Sequence, residues 1–438
     1  MTIETVESTR AGDRYYRMKH PSGLLIQVYP KANSHSTYAI FGTRYGSIDT
    51  CFQRSDADSP VKTPAGIAHF LEHKLFESED GDAFLRYAKT GASANAYTSF
   101  DMTCYLFSCT EKVYESLKIL LDFVQSPYFT EQTVEKEQGI IGQEIRMYDD
   151  DPQWRVMFNM LCGMYENHPV KTDIAGTVES ISEITPEYLY DCYHTFYNLN
   201  NMVLCVAGNV DPKEVFALAD QMLKPSESVS VSRIFDEEPR GVLKHRVEQQ
   251  LSVAVPLFEL GFKEEAGAER ASEREIAATD ILLELMASDA SPLFRKLLDD
   301  GLINESSFGT EYFEGSGYAA VIFSGESNDP DAVAEAVFAE ADRLRQEGIA
   351  EDAFERAKKA VYGRNIAALN SAENIANSMA SLTFAGRELF RYIDAIAEAT
   401  RSDAEARLAK SMQKEYATLS VVLPFADTGS EKKQEELS

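Results

Sequence analysis

The segment Ala65-Gly66-Ile67-Ala68-His69-Phe70-Leu71-Glu72-His73 carries the clearest chemical signal in this chain of 438 residues. Read as a helix, its apolar residues recur at i, i+4 and i+8, while His69, Glu72 and His73 fall on roughly the opposite face. Two imidazoles four residues apart can bind one ion, and zinc accepts histidine nitrogen readily. Glu72 then points into the same space and can take a proton from a water there. The pattern predicts a catalytic zinc site, against the alternative of a solvated helix face.

A third protein ligand for zinc must come from another element. Between residues 134 and 148, two acids and two isoleucines recur at i, i+3, i+4 and i+7, namely Glu137, Ile140, Ile141 and Glu144. Acids on such a face are costly to bury unless a cation lies nearby. From the residues alone, the pattern fits a metal-facing helix and an exposed acidic helix edge equally well.

The charge balance limits the partners. The formal net charge is −29, from 42 Lys and Arg against 71 Asp and Glu. This balance argues against nucleic acid and against an anionic membrane surface, because both would repel the chain. No apolar run approaches the ~18 residues that a membrane span needs. The six cysteines contain no C-x-x-C pair and no secretory leader is recognisable, so we expect free thiols in the cytoplasm.

Two similar halves organise the chain. Segments of matching type follow in the same order, pairing Tyr38–Gly46 with Leu251–Phe262, Pro64–Glu77 with Ala271–Met286, and Phe84–Gly91 with Phe294–Gly301. Such order without close letter identity is expected of an old duplication. We predict an α+β fold of two homologous domains, each a mainly antiparallel sheet packed by helices. The zinc-bearing domain would span 1–224 and the second, without a metal motif, 241–426, followed by a disordered tail at 427–438.

The His69 segment closely resembles the active-site helix of the pitrilysin/insulinase-type zinc metallopeptidases, whose H-x-x-E-H motif defines the inverzincins. Glu137-Gln138-Gly139-Ile140-Ile141-Gly142-Gln143-Glu144-Ile145 resembles the family's downstream glutamate segment. The resemblance implies that Glu144 is the third zinc ligand and that Glu137 is a supporting active-site carboxylate. Asn95-Ala96-Tyr97-Thr98 is similar to the family's edge strand, which implies that Asn95, Ala96 and Tyr97 contact a peptide substrate.

The resemblance covers nearly the whole chain and is strongest in the first 210 residues. It implies paired domains like those of the mitochondrial processing peptidase subunits, and it is closest to the short bacterial members. The implied activity is zinc-dependent endopeptidase action on peptides or unfolded segments.

The second half departs from the family pattern. The family often has an Arg and a Tyr there, seven residues apart, and Leu297 and Asn304 stand at those positions. Thr279, Leu282 and Leu283 stand where the repeat would place the zinc motif. The resemblance therefore implies a metal-bearing subunit that pairs with a paralogous second subunit, or otherwise a homodimer.

Two other functions remain. Some relatives are non-catalytic scaffold subunits, but a scaffold has no need of the set His69, Glu72, His73, Glu137 and Glu144. A purely structural zinc site normally has four protein ligands, whereas the sequence offers three and a base.

Overall fold

The structure is a computed structural model that describes residues 2–79, 81–225, 229–267 and 270–425. The predicted tail at 427–438 lies outside the described residues. The strands of the first half are β1 (Glu4–Ser8), β2 (Asp13–Lys19), β3 (Leu25–Pro30), β4 (Thr37–Thr43), β5 (Cys51–Arg54), β6 (Val61–Lys62), β7 (Glu77–Ser78), β8 (Gly81–Asp82), β9 (Ser93–Thr98), β10 (Thr103–Cys109) and β11 (Met202–Gly208). Its helices are α1 (Ile67–Leu75), α2 (Ala83–Thr90), α3 (Val113–Phe123), α4 (Glu131–Asp149), α5 (Pro152–Met164), α6 (Val178–Ser182), α7 (Pro186–Phe196) and α8 (Pro212–Met222).

The remaining strands are β12 (Val231–Arg233), β13 (Arg246–Leu251), β14 (Leu257–Lys263), β15 (Gly309–Gly315), β16 (Tyr318–Glu326) and β17 (Ala417–Pro424). The remaining helices are α9 (Glu273–Ala287), α10 (Pro292–Asp299), α11 (Pro330–Glu347), α12 (Glu351–Ala368), α13 (Ala372–Phe384), α14 (Leu389–Glu398) and α15 (Arg401–Lys410). Among the residues described, no helix has the length and hydropathy that crossing a bilayer requires.

The two main sheets share one topology. The first has the order β1-β2-β3-β11-β4-β10-β9 and the second β13-β17-β14-β16-β15. In each sheet one neighbouring pair is parallel, β3 with β11 and β13 with β17, and the other pairs are antiparallel. The last five strands of the first sheet therefore repeat as the whole of the second. This confirms the predicted α+β class with two homologous, mainly antiparallel sheets.

One helix from each half packs on the sheet of the other half. Met160 and Met164 of α5 are fully buried and lie against Gly261 of β14, where a Cβ would come within 2.4 Å of Met164 Cε. In the reciprocal contact, Phe384 of α13 lies against Gly42 of β4. Burial of each such large side chain contributes about 1.5–3 kcal/mol. The exchange joins the two halves through shared cores, so each half depends on the other for packing.

Two segments differ from the sequence prediction. The segment Leu251–Phe262, which the repeat pairs with Tyr38–Gly46 as one strand-like stretch, is not one strand, because β13 ends at Leu251 and β14 begins at Leu257. Pro256 precedes β14 and has no N–H to donate to a sheet. Residues 225–240, which lie between the two predicted domains and read as a linker without helical periodicity, contain β12, which pairs with β5.

Candidate metal centre

Helix α1 is held inside the first half. Its apolar stripe of Ile67, Leu71 and Leu75 is almost wholly buried in the core. The residue before the helix is Gly66, whose φ of 85° lies in the left-handed region that favours glycine. A Cβ at Gly66 would also lie 2.3 Å from the carbonyl oxygen of Ala175. The sequence therefore fixes where the helix starts and which face carries the histidines.

Helix α4 lies beside α1 and brings the two acids to it. A capping box between Thr130 and Thr133 defines its start, and its core-facing side buries Val134, Ile141 and Ile145. Glu137 is 8% exposed and the Glu144 side chain 22% exposed, whereas Ile140 is 45% exposed. The predicted four-residue face is therefore divided, since Ile140 points towards solvent.

The structure brings His69, His73 and Glu144 together. His69 Nε2 lies 3.7 Å from Glu144 Oε1, and His73 Nε2 lies 3.5 Å from Glu144 Oε2. One potential ligand atom from each residue lies within 4.8 Å of the other two. Throughout the described part of the chain, no other group of three or more His, Cys, Asp or Glu side chains meets in this way.

The two other predicted catalytic residues border this cluster. Glu137 Oε1 lies 3.0 Å from His73 Nδ1, on the side of the ring away from Glu144. Glu72 is 8% exposed, and its Oε2 accepts a hydrogen bond of 2.6 Å from Thr98 Oγ1 at the end of β9. Sequence reasoning gave Thr98 no role, although it closes the strand motif that was identified.

Burial and neighbouring charges shift the titration of the cluster. Burial lowers the pKa of His69 to about 4, with a further contribution from His73, so its imidazole is neutral at neutral pH. Burial raises the pKa of Glu72, which suits a general base that must take up a proton. Burial acts to lower the pKa of His73, but the hydrogen bond to Glu137 and the nearby carboxylates outweigh it and the net shift is upward.

This donor set fits zinc. Two imidazole nitrogens and one carboxylate oxygen are three of the ligands that catalytic zinc sites use, and they leave a fourth position for water or substrate. The neutral His69 has a lone pair to offer. The carboxylate of Glu137 behind His73 matches the common arrangement in which an acid orients a ligating histidine.

A cavity of about 550 Å³ adjoins the cluster. Its lining includes Glu72, His73, Glu137, Asn95 and Ala96. Strand β9 ends the order of the first sheet, so one side of its backbone has no neighbouring strand among the described residues. Asn95 and Ala96 thus lie where the sequence motif suggested, beside the candidate metal centre.

Tyr97 lies elsewhere. Successive residues of a strand point to opposite faces, and Tyr97 packs against the cluster that α13 forms with the first sheet. Its hydroxyl donates to Asn377 Oδ1 over 3.3 Å. The side chain of Tyr97 therefore contacts the other half of the chain, and Tyr97 is not among the residues that line the cavity.

The second half holds no equivalent site among its described residues. Leu297 is fully buried in the core of that half. Asn304 donates to Glu326 and accepts hydrogen bonds from Ser306 and Ser307. Neither residue presents a cation or a phenol to a substrate.

Comparison with known proteins agrees with these features. Residues 60–178 match the family described as "Insulinase (Peptidase family M16)", and residues 183–361 match "Peptidase M16 inactive domain". The Bacillus subtilis protein "Uncharacterized zinc protease YmfH" is 40% identical over 432 residues, which are 96% of this chain and 99% of that protein. The chain belongs to peptidase family M16.

Solved structures of other proteins show the same architecture. A putative M16-like peptidase from Alicyclobacillus acidocaldarius is 35% identical, covers 97% of this M16 chain and 99% of its own, and superposes with a TM-score of 0.90. A chain of complex III2 from Candida albicans, at 15% identity, covers 93% of this chain and 95% of its own with a TM-score of 0.73. At that identity the likeness concerns the fold alone.

Sequence reasoning missed part of the surroundings of Glu144. Tyr148 donates a hydrogen bond of 2.7 Å to Glu144 Oε1, and its ring stacks on Trp154. The i, i+4 spacing of Glu144 and Tyr148 on a helix could have indicated the first contact. Nothing in the sequence pairs Trp154 with Asp173, to which its Nε1–H donates a hydrogen bond.

Proposed function

We propose that this M16 chain is a zinc-dependent endopeptidase that cleaves peptides or unfolded segments. The observation that carries the proposal is the convergence of His69, His73 and Glu144 with Glu72 beside them. These residues would hold zinc through His69 Nε2, His73 Nε2 and the carboxylate of Glu144. When bound, zinc supplies Lewis acidity, which polarises the scissile carbonyl and makes water easier to deprotonate.

A side chain of this protein accepts and transfers the proton of the attacking water. Glu72 accepts it from the attacking water and passes it to the leaving amine, and burial favours its protonated form. Thr98 holds one carboxylate oxygen of Glu72, which leaves the other to act. Glu137 orients the ring of His73 through Nδ1.

The substrate would bind in extended form along β9. A peptide added to that edge can hydrogen-bond with the backbone at Asn95, Ala96 and Tyr97, and its side chains can enter the cavity of about 550 Å³. Because an edge strand recognises backbone, this mode favours peptides and unfolded segments over folded proteins.

We also propose that the chain is the metal-bearing subunit of a two-subunit peptidase, in which a paralogous chain supplies what Leu297 and Asn304 lack. A homodimer is the alternative assembly. The cytoplasm is the proposed compartment, since none of the six cysteines forms a disulfide and reduced thiols persist there.

A non-catalytic scaffold subunit is the competing function. It is favoured by the description of the family matched at residues 183–361 as an inactive domain and by the fold shared with a complex III2 chain. The presence of Glu72, Glu137 and the three candidate ligands in one chain speaks against it.

Zinc content and peptide cleavage test the proposal together. The purified chain, a Glu72→Gln variant and an exposed-surface control, Glu135→Gln, would be measured with a panel of quenched fluorescent peptides. We expect about one zinc per chain in all three and cleavage that falls about 10²–10⁴-fold only in Glu72→Gln. Zinc without cleavage in the parent chain would favour a missing subunit or the scaffold, and absence of zinc would overturn the proposal.

A further inference from the structure

The carboxylate of Glu144 is held by a residue on the same face of α4. Tyr148 follows Glu144 by one helical turn, and its hydroxyl donates to Glu144 Oε1 over 2.7 Å. The other carboxylate oxygen, Oε2, lies 3.5 Å from His73 Nε2. The hydrogen bond to Oε1 thus fixes the rotation of the carboxylate group, so that Oε2 faces His73 while Oε1 also lies 3.7 Å from His69 Nε2.

The ring of Tyr148 is itself held in place. Trp154 stacks on it with ring centroids 4.7 Å apart and an interplanar angle of 18°. Asp151 caps the start of α5 by accepting hydrogen bonds from the backbone N–H groups of Gln153 and Trp154. Only Asp150 and Asp151 separate α4 from α5, and this short connection places the ring of Trp154 on that of Tyr148.

Trp154 connects this face to the helix that carries the histidines. Its Nε1–H donates to Asp173 Oδ2 over 2.6 Å, and Asp173 Oδ1 accepts from the N–H of Ala175 over 3.0 Å. The carbonyl of Ala175 packs on Gly66, where α1 begins. The contacts therefore run from Glu144 on α4 to Gly66, the residue that precedes α1, without a gap.

We infer that Tyr148, Trp154 and Asp173 form a positioning relay that holds Glu144 in the orientation needed for metal binding. The inference rests on the proposed zinc site and adds to it three residues that do not touch the metal. Their action is on the geometry of Glu144 and on the spacing of α1 and α4. Loss of an outer contact of this kind typically weakens metal binding about 10–100-fold.

The relay differs from ordinary packing in a measurable way. Tyr148→Phe keeps the ring and its stack on Trp154 but removes the one hydrogen bond to Glu144. A purely structural tyrosine would lose thermal stability in this variant and leave zinc affinity unchanged. Tyr87→Phe is the matched control, because Tyr87 is a buried tyrosine of the same half whose hydroxyl has no hydrogen-bond partner among the described residues.

Trp154 also provides a signal, since it is the only tryptophan in the chain. Its emission reports on the stack beside Glu144, so zinc titration should change tryptophan fluorescence in the parent chain. We expect the amplitude of that change to fall in Tyr148→Phe, because the bond that transmits it is gone, and to persist in Tyr87→Phe.

The experiment measures zinc affinity by competition with a chelator, together with the fluorescence change and the melting temperature of the zinc-free proteins. We expect the dissociation constant for zinc to be about 10–100-fold higher in Tyr148→Phe and also higher in Asp173→Asn. In Tyr87→Phe it should equal the parent value. Equal affinities for Tyr148→Phe and the parent would overturn the relay while leaving the zinc site intact. A parent chain that binds no zinc would instead refute the proposed function.

Discussion

Nδ1 of His73 lies 3.0 Å from Oε1 of Glu137, so the second histidine of the motif is bonded on the side opposite to Glu144. Replacing Glu137 by Gln retains the shape but removes the charge that orients and polarises the ring. We expect zinc affinity to fall about 10-fold, because outer carboxylates raise the basicity of a ligating imidazole. Chelator competition measures this, with Glu135→Gln on the exposed side of α4 as control. An unchanged dissociation constant would mean that Glu137 has no part in metal binding.

His168 provides a pH test of the contact between the halves. Its Nδ1 accepts from the N–H of Val170 over 3.1 Å and its Nε2–H donates to the carbonyl of Ser316 over 3.0 Å, so the buried ring is neutral. Burial lowers its pKa to about 4. An unfolded histidine has a pKa near 6.5. Between these values the unfolded chain binds a proton that the folded chain does not, so this contribution is complete above pH 6.5 and is lost as the pH falls to 4.

The expected loss from His168 is at most about 3 kcal/mol of unfolding free energy. Urea unfolding between pH 4 and 7 measures it, and Glu238, Asp101 and Lys263 are the charged groups that also act on the ring. His168→Gln should show a shallower pH dependence than the parent, whereas the exposed His35→Gln should follow the parent. The same pH dependence of the unfolding free energy in His168→Gln, His35→Gln and the parent would show that His168 is not its source.

Glu259 is a partly buried acid whose replacement should stabilise the protein. Its Oε2 has no hydrogen-bond partner among the described residues, and it pairs across β14 and β17 with Ser420, whose hydroxyl also lacks one. Burial raises the pKa of Glu259 to about 8, with a contribution from Glu311. The folded state therefore holds a proton that the unfolded state releases above about pH 4.5, and stability falls as the pH rises towards 8.

We expect Glu259→Gln to raise the unfolding free energy at pH 8 by at least about 1 kcal/mol, because the amide is neutral in both states and takes up no proton on folding. Near pH 4.5 the difference from the parent should be much smaller, because the carboxyl is then protonated in the folded state and about half protonated in the unfolded state. Thermal unfolding at the two pH values measures this, with the exposed Glu305→Gln as control. A stabilisation that is equal at both pH values would point to packing and not to charge.

The sequence predicted features that depend on residues close together along the chain. The H-x-x-E-H spacing gave the face of α1, and the recurrence of Glu137 and Glu144 gave the face of α4. The order of segments gave the duplication.

Contacts between distant segments left no such pattern in the sequence. Nothing local distinguishes α5 as the helix that crosses to the second sheet. The hydrogen bond between Trp154 and Asp173 joins residues 19 positions apart and depends on how the segment between them folds. Similarly, Tyr97 alternates with Ala96 along β9, but which face meets α13 is set by the packing of the whole molecule.

The position of Leu297 determines what can restore a complete site. Because Leu297 is fully buried in the second core, an arginine placed there would be desolvated without a partner. We expect Leu297→Arg to destabilise the chain by more than about 3 kcal/mol, while Leu298→Arg, at a half-buried position of the same helix, costs less. The pair Leu297→Arg and Asn304→Tyr should therefore give no gain in cleavage.

Addition of a paralogous subunit that carries an Arg/Tyr pair should raise cleavage by the parent chain at least about 10-fold, and size-exclusion chromatography should show the two chains eluting together. A parent chain that cleaves equally well alone would contradict the need for a second subunit, and a double variant that gains activity would show that this region can supply the pair within one chain.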